Sequence, residues 1–242
     1  LDLTELLRPC ETNGNNMPEN MGEIIRDRIE RSSDRNLNDE ILAGVDEGQH
    51  EVSFDSKNTD LAIGAKIAGM IAKGLLKIPE EGIKINLKGY AGQALGFAST
   101  TGMQIRLNGF ANDSVGEAMS GKAKIVIKQP KEIEGERSKN SVIGNASCYG
   151  ATGGTLYAEG SAGHRLGVRN SGATIVTEGA GKYAFEYMTG GVGVVLGECR
   201  EVVGAGMTDG VLFIRDPEIA NKINKESVHI TTPDDKDFDA LH

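Results

Sequence analysis

The chain has 242 residues, enough for one large domain or two small ones. Its 35 acidic and 26 basic residues leave a net charge of −9, which argues against nucleic acid or an anionic membrane surface as partner. Glycine supplies 33 residues, about twice the usual share, but proline only 6 and tryptophan none, so the composition is neither collagen-like nor Pro-rich and disordered.

The opening, LDLTELLRPCETNG, has neither a basic start nor an apolar run and is not expected to act as a secretion signal. Ile24, Ile25, Arg28 and Ile29 have helical spacing, and Leu37, Ile41, Leu42 and Val45 repeat it, with Gly44 or Gly48 as a stop. HEVSFDS (50–56) alternates and reads as a short strand. Asn58, Thr59 and Asp60 then offer caps for a helix over 60–74, with Leu61, Ile63, Ile67, Met70, Ile71 and Leu75 apolar. The stretch LAIGAKIAGMIAKGLLKI carries three lysines and is a poor membrane span. The cysteines, Cys10, Cys148 and Cys199, lie far apart without metal-site spacing, which suits a reducing compartment; the expected location is the cytoplasm.

From Ile83 to Ile214 the pattern becomes a repeat. Gly160, Gly163, Gly167 and Gly172 follow a 3-4-5 spacing, and the next copies of it are Gly179, Lys182, Glu186 and Gly191, then Glu198, Glu201, Ala205 and Gly210. Stepping back gives Val142, Asn145, Tyr149 and Gly154, then Gly109, Asn112, Gly116 and Gly121, then Gly89, Gly92, Gly96 and Thr101. That makes six copies with a period near 19, interrupted once by the charged KQPKEIEGERSKNS (128–141). Apolar residues alternate after each copy, as in Met103, Ile105, Leu107 and Ala123, Ile125, Ile127. Alternation nested inside that longer period means short strands joined by corners, and such units bury their apolar faces only by stacking. The reading is mainly β: a single-stranded, right-handed parallel β-helix of roughly three short strands per coil, with an N-terminal helical extension and cap. The glycines would turn corners at positive φ, helped by Asn112, Asn145 and Asn170. Helix 60–74 would cover the first coil. Domains are expected at 1–82 (extension and cap), 83–216 (repeat) and 217–242 (a short helix over 217–225, then a tail).

The segments YGATGG, GVRNSGA, TEG, EYMTGG and GMTDG, with NTDLAIGAKIAG, KGYAGQALGF and ANDSVGEAMSGKAKIVI upstream, closely resemble the C-terminal Gly-x-x-Gly-x-x-x-Gly repeat domain of the glutamate synthase large subunit, over about residues 50–216. The resemblance implies a right-handed β-helix without catalytic residues, a structural part of an enzyme making glutamate from glutamine and 2-oxoglutarate. It implies FMN and an iron–sulfur cluster in a partner subunit rather than here, and glutaminase (amidotransferase) and flavin-dependent synthase parts as partners. That family's glutaminase needs an N-terminal cysteine, whereas this chain starts at Leu1, so it looks like the repeat domain alone, as a subunit or a fragment. A related subunit of formylmethanofuran dehydrogenase and a self-standing solenoid that binds a ligand are the alternatives, and a homo-oligomer is compatible with either.

No catalytic, cofactor-binding or metal-binding residue is expected. GVGVVLG (191–197) lacks the spacing and following helix of a dinucleotide loop, and GAGK (179–182) lacks the first glycine of a phosphate loop. His50, His164, His229 and His242 have no ligand spacing and read as surface residues; Cys148 reads as a small buried hydrophobe. Arg169, Asn170, Glu178, Glu186 and Tyr187 are polar residues in the best-matched stretch. They read either as a ladder of hydrogen bonds along the coils or as a docking face for the partners.

Overall fold

The computed structural model describes residues 36–133 and 135–233, and the helical spacing around Ile24–Ile29 lies outside them. Within the compact unit that starts at Leu37, the elements are α1 (Leu37–Asp46), β1 (Glu51–Ser56), α2 (Ala65–Ala72), β2 (Ile83–Ala91), β3 (Met103–Ala111), β4 (Lys124–Lys128), β5 (Ser141–Ile143), β6 (Thr155–Ala162), β7 (Ser171–Ala180), β8 (Thr189–Val195) and β9 (Asp209–Ile214). These strands lie in one parallel sheet, with β5 beside β6 and the others in chain order. The fold is a parallel β-solenoid of about seven turns.

Register shows how the coils stack. Ile85 lies beside Ile105, which lies beside Ile125, one coil further on each time. Leu156 and Ile175 continue the row, then Gly193 and Leu212, at slightly shorter intervals. A second inward row runs Leu87, Leu107, Ile127, Ala158, Thr177, Val195, Ile214. A continuous core of buried side chains results, with Ile83, Ile85, Ile105, Ile125 and Leu156 wholly buried. Two intervals are much longer. Glu51 lies beside Lys84 because α2 occupies that coil, and Lys124 lies beside Thr155 because the charged excursion after Lys128 occupies that one.

Several expectations need correction. The coil is not three short strands: each strand of β2, β3 and β6 carries its own left-handed glycine, Gly89, Gly109 and Gly160, and the rest of the coil is a non-β corner. α2 starts at Ala65, not near Asp60, because Ala62 and Gly64 already belong to a corner (φ 47° and 90°), a coil that the sixfold count missed. No side chain caps α2; Asn58 and Thr59 play no such part, although Asp60 accepts the Lys57 N–H at 2.8 Å. The N-terminal end is covered by α1 together with α2: Leu37, Ile41 and Val45 join the same core as Ile63, Ile67 and Ala68. The expected helix over 217–225 is a single 3-10 turn, Ile219–Asn221, whose following residues bond to the last corner instead.

The repeat register also slips by one position in three copies. The equivalents of Gly96 and Gly116 are Cys148, Phe185 and Gly204, as their backbone bonds show, rather than Tyr149, Glu186 and Ala205. Phe185 is therefore a core residue. Its wholly buried ring fills space that two glycines leave open: a Cβ at Gly193 would sit 2.6 Å from it, and one at Gly167 2.7 Å. Gly193→Ala, where φ is ordinary, should destabilise the protein by about 1–3 kcal/mol through overpacking. Phe185→Leu in the same chain should recover part of the loss, a coupling that denaturant titration of the double-mutant cycle will measure.

Candidate functional site: the corner face

Each coil turns through a corner in which alternate residues are left-handed. The second complete corner has Ala94, Gly96 and Ala98 at φ 62°, 71° and 55°; later ones have Arg165, Gly167 and Arg169, then Tyr183, Phe185 and Tyr187. Thirteen of the described non-glycine residues have positive φ, and all lie in these corners. Each costs on the order of 1 kcal/mol or more by itself, and bulky side chains are the least suited. The geometry persists because stacking satisfies it. Alternation turns the first and third left-handed N–H forward and the second back. Ala94 and Ala98 donate to Asp113 and Glu117 of the next coil (2.8 and 2.9 Å), and Gly96 donates to Ile63 of the previous one (2.9 Å). The same bonds recur up to Tyr183→Glu201 and Tyr187→Ala205.

Of the fourteen repeat glycines, ten have positive φ: Gly89, Gly96, Gly109, Gly116, Gly121, Gly154, Gly160, Gly167, Gly191 and Gly210. Gly92, Gly163, Gly172 and Gly179 do not, and are needed for close stacking instead; a Cβ at Gly92 would lie 2.7 Å from the Asn58 and Asp60 carbonyls. None of Asn112, Asn145 and Asn170 is left-handed. The side chains of Asn145 and Asn170 serve the coils differently, and this the sequence reading missed. Asp113 Oδ1 accepts the Asn145 N–H (2.7 Å), Asn145 Oδ1 the His164 N–H (2.8 Å), and His164 Nδ1 the Lys182 N–H (2.9 Å). Lys182 then pairs with Glu201 (3.3 Å), whose carboxyl is held below its usual range by its own backbone N–H and by Lys182. A polar residue at the same place in successive coils was the available signal.

The five singled-out residues fall in different surroundings. Arg169 and Tyr187 are exposed left-handed corner residues in adjacent coils, and the Arg169 N–H donates to the Glu186 carbonyl at 2.9 Å. Tyr187 is 58% exposed and its ring lies over Gly206 of the next coil. Glu186, half-buried, sits between them in that corner. Asn170 is wholly buried and holds its own turn: Oδ1 accepts the Ala173 N–H and Nδ2 donates to the Ala173 carbonyl, both at 2.9 Å. Glu178 is elsewhere, on β7, with Oε2 buried and without a hydrogen-bond partner. The corner face also exposes Phe97, Tyr149 and Tyr183, and Arg165 lies over the Tyr183 ring at 5.9 Å. Aromatic and arginine side chains of this kind are enriched at protein interfaces.

Other chemistry is limited by burial. The Cys148 and Cys199 thiols are pushed up to about 12, Cys148 by burial alone, Cys199 by burial and Asp216 against the opposing charge of Lys222. Among the described residues no three His, Cys, Asp or Glu side chains converge as a metal group, and no helix is long and apolar enough to cross a membrane.

The profile that this corner and its glycine spacing match covers residues 34–241 and is described as the GXGXG motif. The chain belongs to the GXGXG motif family. The family match extends beyond the expected 50–216 at both ends. Relatives include the ferredoxin-dependent glutamate synthase of Cyanidium caldarium (42% identical over 79% of this chain and 12% of that protein) and ferredoxin-dependent glutamate synthase 2 of Synechocystis sp. (42% over 79% and 13%). The NADH glutamate synthase of Schizosaccharomyces pombe is 36% identical over 97% of this chain and 11% of its own length. The chain thus spans about an eighth of the relatives it matches.

Two outcomes follow for this GXGXG solenoid. At pH 8 the native protein should leave Cys148 and Cys199 unmodified by iodoacetamide while denatured protein is labelled at both, as peptide mass spectrometry will record. Asp216, buried behind the last corner, accepts bonds from the Cys199 and Glu218 N–H groups (both 2.9 Å) and from Lys222 Nζ (2.8 Å). Burial opposes its ionisation, but these three donors outweigh burial and hold it below the usual carboxylate range. A depressed folded value gives stability that is full above the unfolded value of about 3.9 and is lost as pH falls through the folded value. Asp216→Asn should therefore cost about 1–3 kcal/mol near neutrality, with the gap from the parent narrowing below about pH 4 in thermal melts.

Proposed function

We propose that this chain is the structural, non-catalytic GXGXG part of a glutamate synthase, working in the cytoplasm. It holds the glutaminase and flavin-dependent synthase parts at a fixed separation, so that ammonia passes between them without escaping. FMN and the iron–sulfur cluster belong to the synthase partner. The observation that carries this reading is the spread of relatives: named as ferredoxin-dependent, NADH and NADPH glutamate synthases, they differ in electron donor yet match the same solenoid. A role indifferent to the electron source suits a spacer. The axial hydrogen-bond ladder supports it too, since each coil is bonded to the next both through the sheet and through the corner.

Docking uses the corner face. Arg169, Glu186 and Tyr187 meet the partner, and Asn170 shapes the turn beneath them, while Glu178, on β7 with its unpaired oxygen buried, belongs to the coil rather than to the docking face. The purified chain should release no ammonia from glutamine and retain no flavin. Co-expressed with glutaminase and flavin synthase polypeptides of a relative lacking their own repeat domain, it should co-purify with both. Arg169→Glu and Tyr187→Asp should weaken that association at least tenfold without lowering the Tm of the isolated chain by more than a few degrees. Glutamine turnover by the chain alone, or association indifferent to both substitutions, would overturn the proposal.

A further inference from the structure

The outer face of the sheet is unevenly charged. On β2, β3 and β4 nine side chains point away from the core, and register sets them in three rows across the strands: Lys84, Gln104, Lys124; then Asn86, Arg106, Val126; then Lys88, Asn108, Lys128. Five of the nine are cations and none is a carboxylate, in a chain where acids outnumber bases 35 to 26. The arrangement is ordered. No two cations stand directly opposite on adjacent strands, where like charges destabilise a sheet; an amide or Val126 always intervenes. The Cα positions of Lys84, Lys88, Lys124 and Lys128 mark a rectangle of about 13 by 10 Å with Arg106 at its centre, about 8 Å from each. Compensation is confined to the borders. β1 sets Glu51 beside Lys84 (3.9 Å) and Asp55 beside Lys88. On the β6 side Glu159 is taken by Arg137 (2.9 Å), and Lys124 lies over the Tyr157 ring at 5.3 Å. Arg106, Lys124 and Lys128 are exposed and form no salt bridge among the described residues.

We propose that this face binds an acidic polypeptide segment of a partner protein, with Arg106 as its centre. Charge complementarity carries the assignment. A segment bearing carboxylates meets five cations at once, and the amides of Gln104 and Asn108 between them can donate to the same oxygens. The planar fork of the Arg106 guanidinium suits a carboxylate held through two hydrogen bonds. Two straight lines of three cations cross there, one through Lys84, Arg106 and Lys128 and the other through Lys88, Arg106 and Lys124, each about 16 Å long. Extended chain covers that span in about five residues, so three carboxylates on alternate residues match either line. A nucleic acid fits worse: the net charge of −9 repels an extended phosphate backbone, and the patch is too short to offset it. The face shares no residue with the corner face.

Fluorescein-labelled hexaglutamate titrated with the full chain tests this by fluorescence anisotropy. Saturable binding is expected at about 20 mM NaCl, at least tenfold weaker at about 200 mM. Arg106→Glu with Lys128→Glu should weaken it at least tenfold. The milder pair Arg106→Gln with Lys128→Gln should weaken it at least threefold with Tm unchanged. Lys73→Glu with Lys225→Glu, the same change of charge at exposed positions elsewhere, should leave affinity within twofold. Absence of binding, or equal losses in the two glutamate pairs, would overturn the proposal. So would tighter binding of labelled hexauridylate, or of vesicles containing phosphatidylserine, which would give the face to nucleic acid or to a membrane. Arg169→Glu should leave hexaglutamate binding unchanged, so this result stands or falls separately from docking at the corner face.

Discussion

The corner hydrogen bonds between coils are what the rest of this molecule rests on. A backbone that alternates between right- and left-handed residues gains nothing within one coil. It turns successive N–H groups to opposite sides, where only a neighbouring coil can meet them. Thirteen of the described non-glycine residues are held at positive φ, which would cost each about 1 kcal/mol or more in isolation, whereas a satisfied backbone bond returns about 0.5–1.5 kcal/mol. A single coil is therefore unstable and a stack is not. The side-chain substitutes at both ends, Asn38 and Ser227, stand where an absent coil would otherwise leave an N–H unmet.

Glycine serves this arrangement in more than one capacity. Gly109 and Gly160 let a strand bend, Gly92 and Gly172 let backbones of adjacent coils touch, and Gly167 and Gly193 leave a hole that Phe185 fills. The last case explains why an aromatic ring occupies a left-handed position at all. Its burial against Gly167 and Gly193 recovers the backbone strain through apolar contact.

The parallel solenoid was readable because its signal is doubly periodic: Ile85, Ile105 and Ile125 recur at fixed intervals and alternate within each strand. The register was harder. Coil length is not constant, so any fixed step drifts by one position along the stack, and in this geometry one position separates a core side chain from a surface one. A fixed step lands on Glu186 and Tyr149 where the corner holds Phe185 and Cys148, although Cys148 is legible by itself as a small buried hydrophobe. The Asp113–Asn145–His164–Lys182 ladder was illegible for another reason: its members share no residue type, only an acceptor or charge at one place in the coil. The corner formed by Ala62 and Gly64 was hidden because α2 leaves it directly, which broke the spacing that marked the other coils.

The inward rows change character along the stack. Ile85, Ile105 and Ile125 are followed by Leu156, Ile175, Gly193 and Leu212, and Leu87, Leu107 and Ile127 by Ala158, Thr177, Val195 and Ile214, while the later coils use slightly less chain than the early ones. A stack built from unlike rungs has a direction. Its halves cannot be freely exchanged, because each inward side chain packs against its own neighbours in the coils before and after it. Lengthening such a rod by duplicating a coil is easiest where successive coils have equal length and like inward residues, which singles out the region between β2 and β4 as the place where this scaffold can grow.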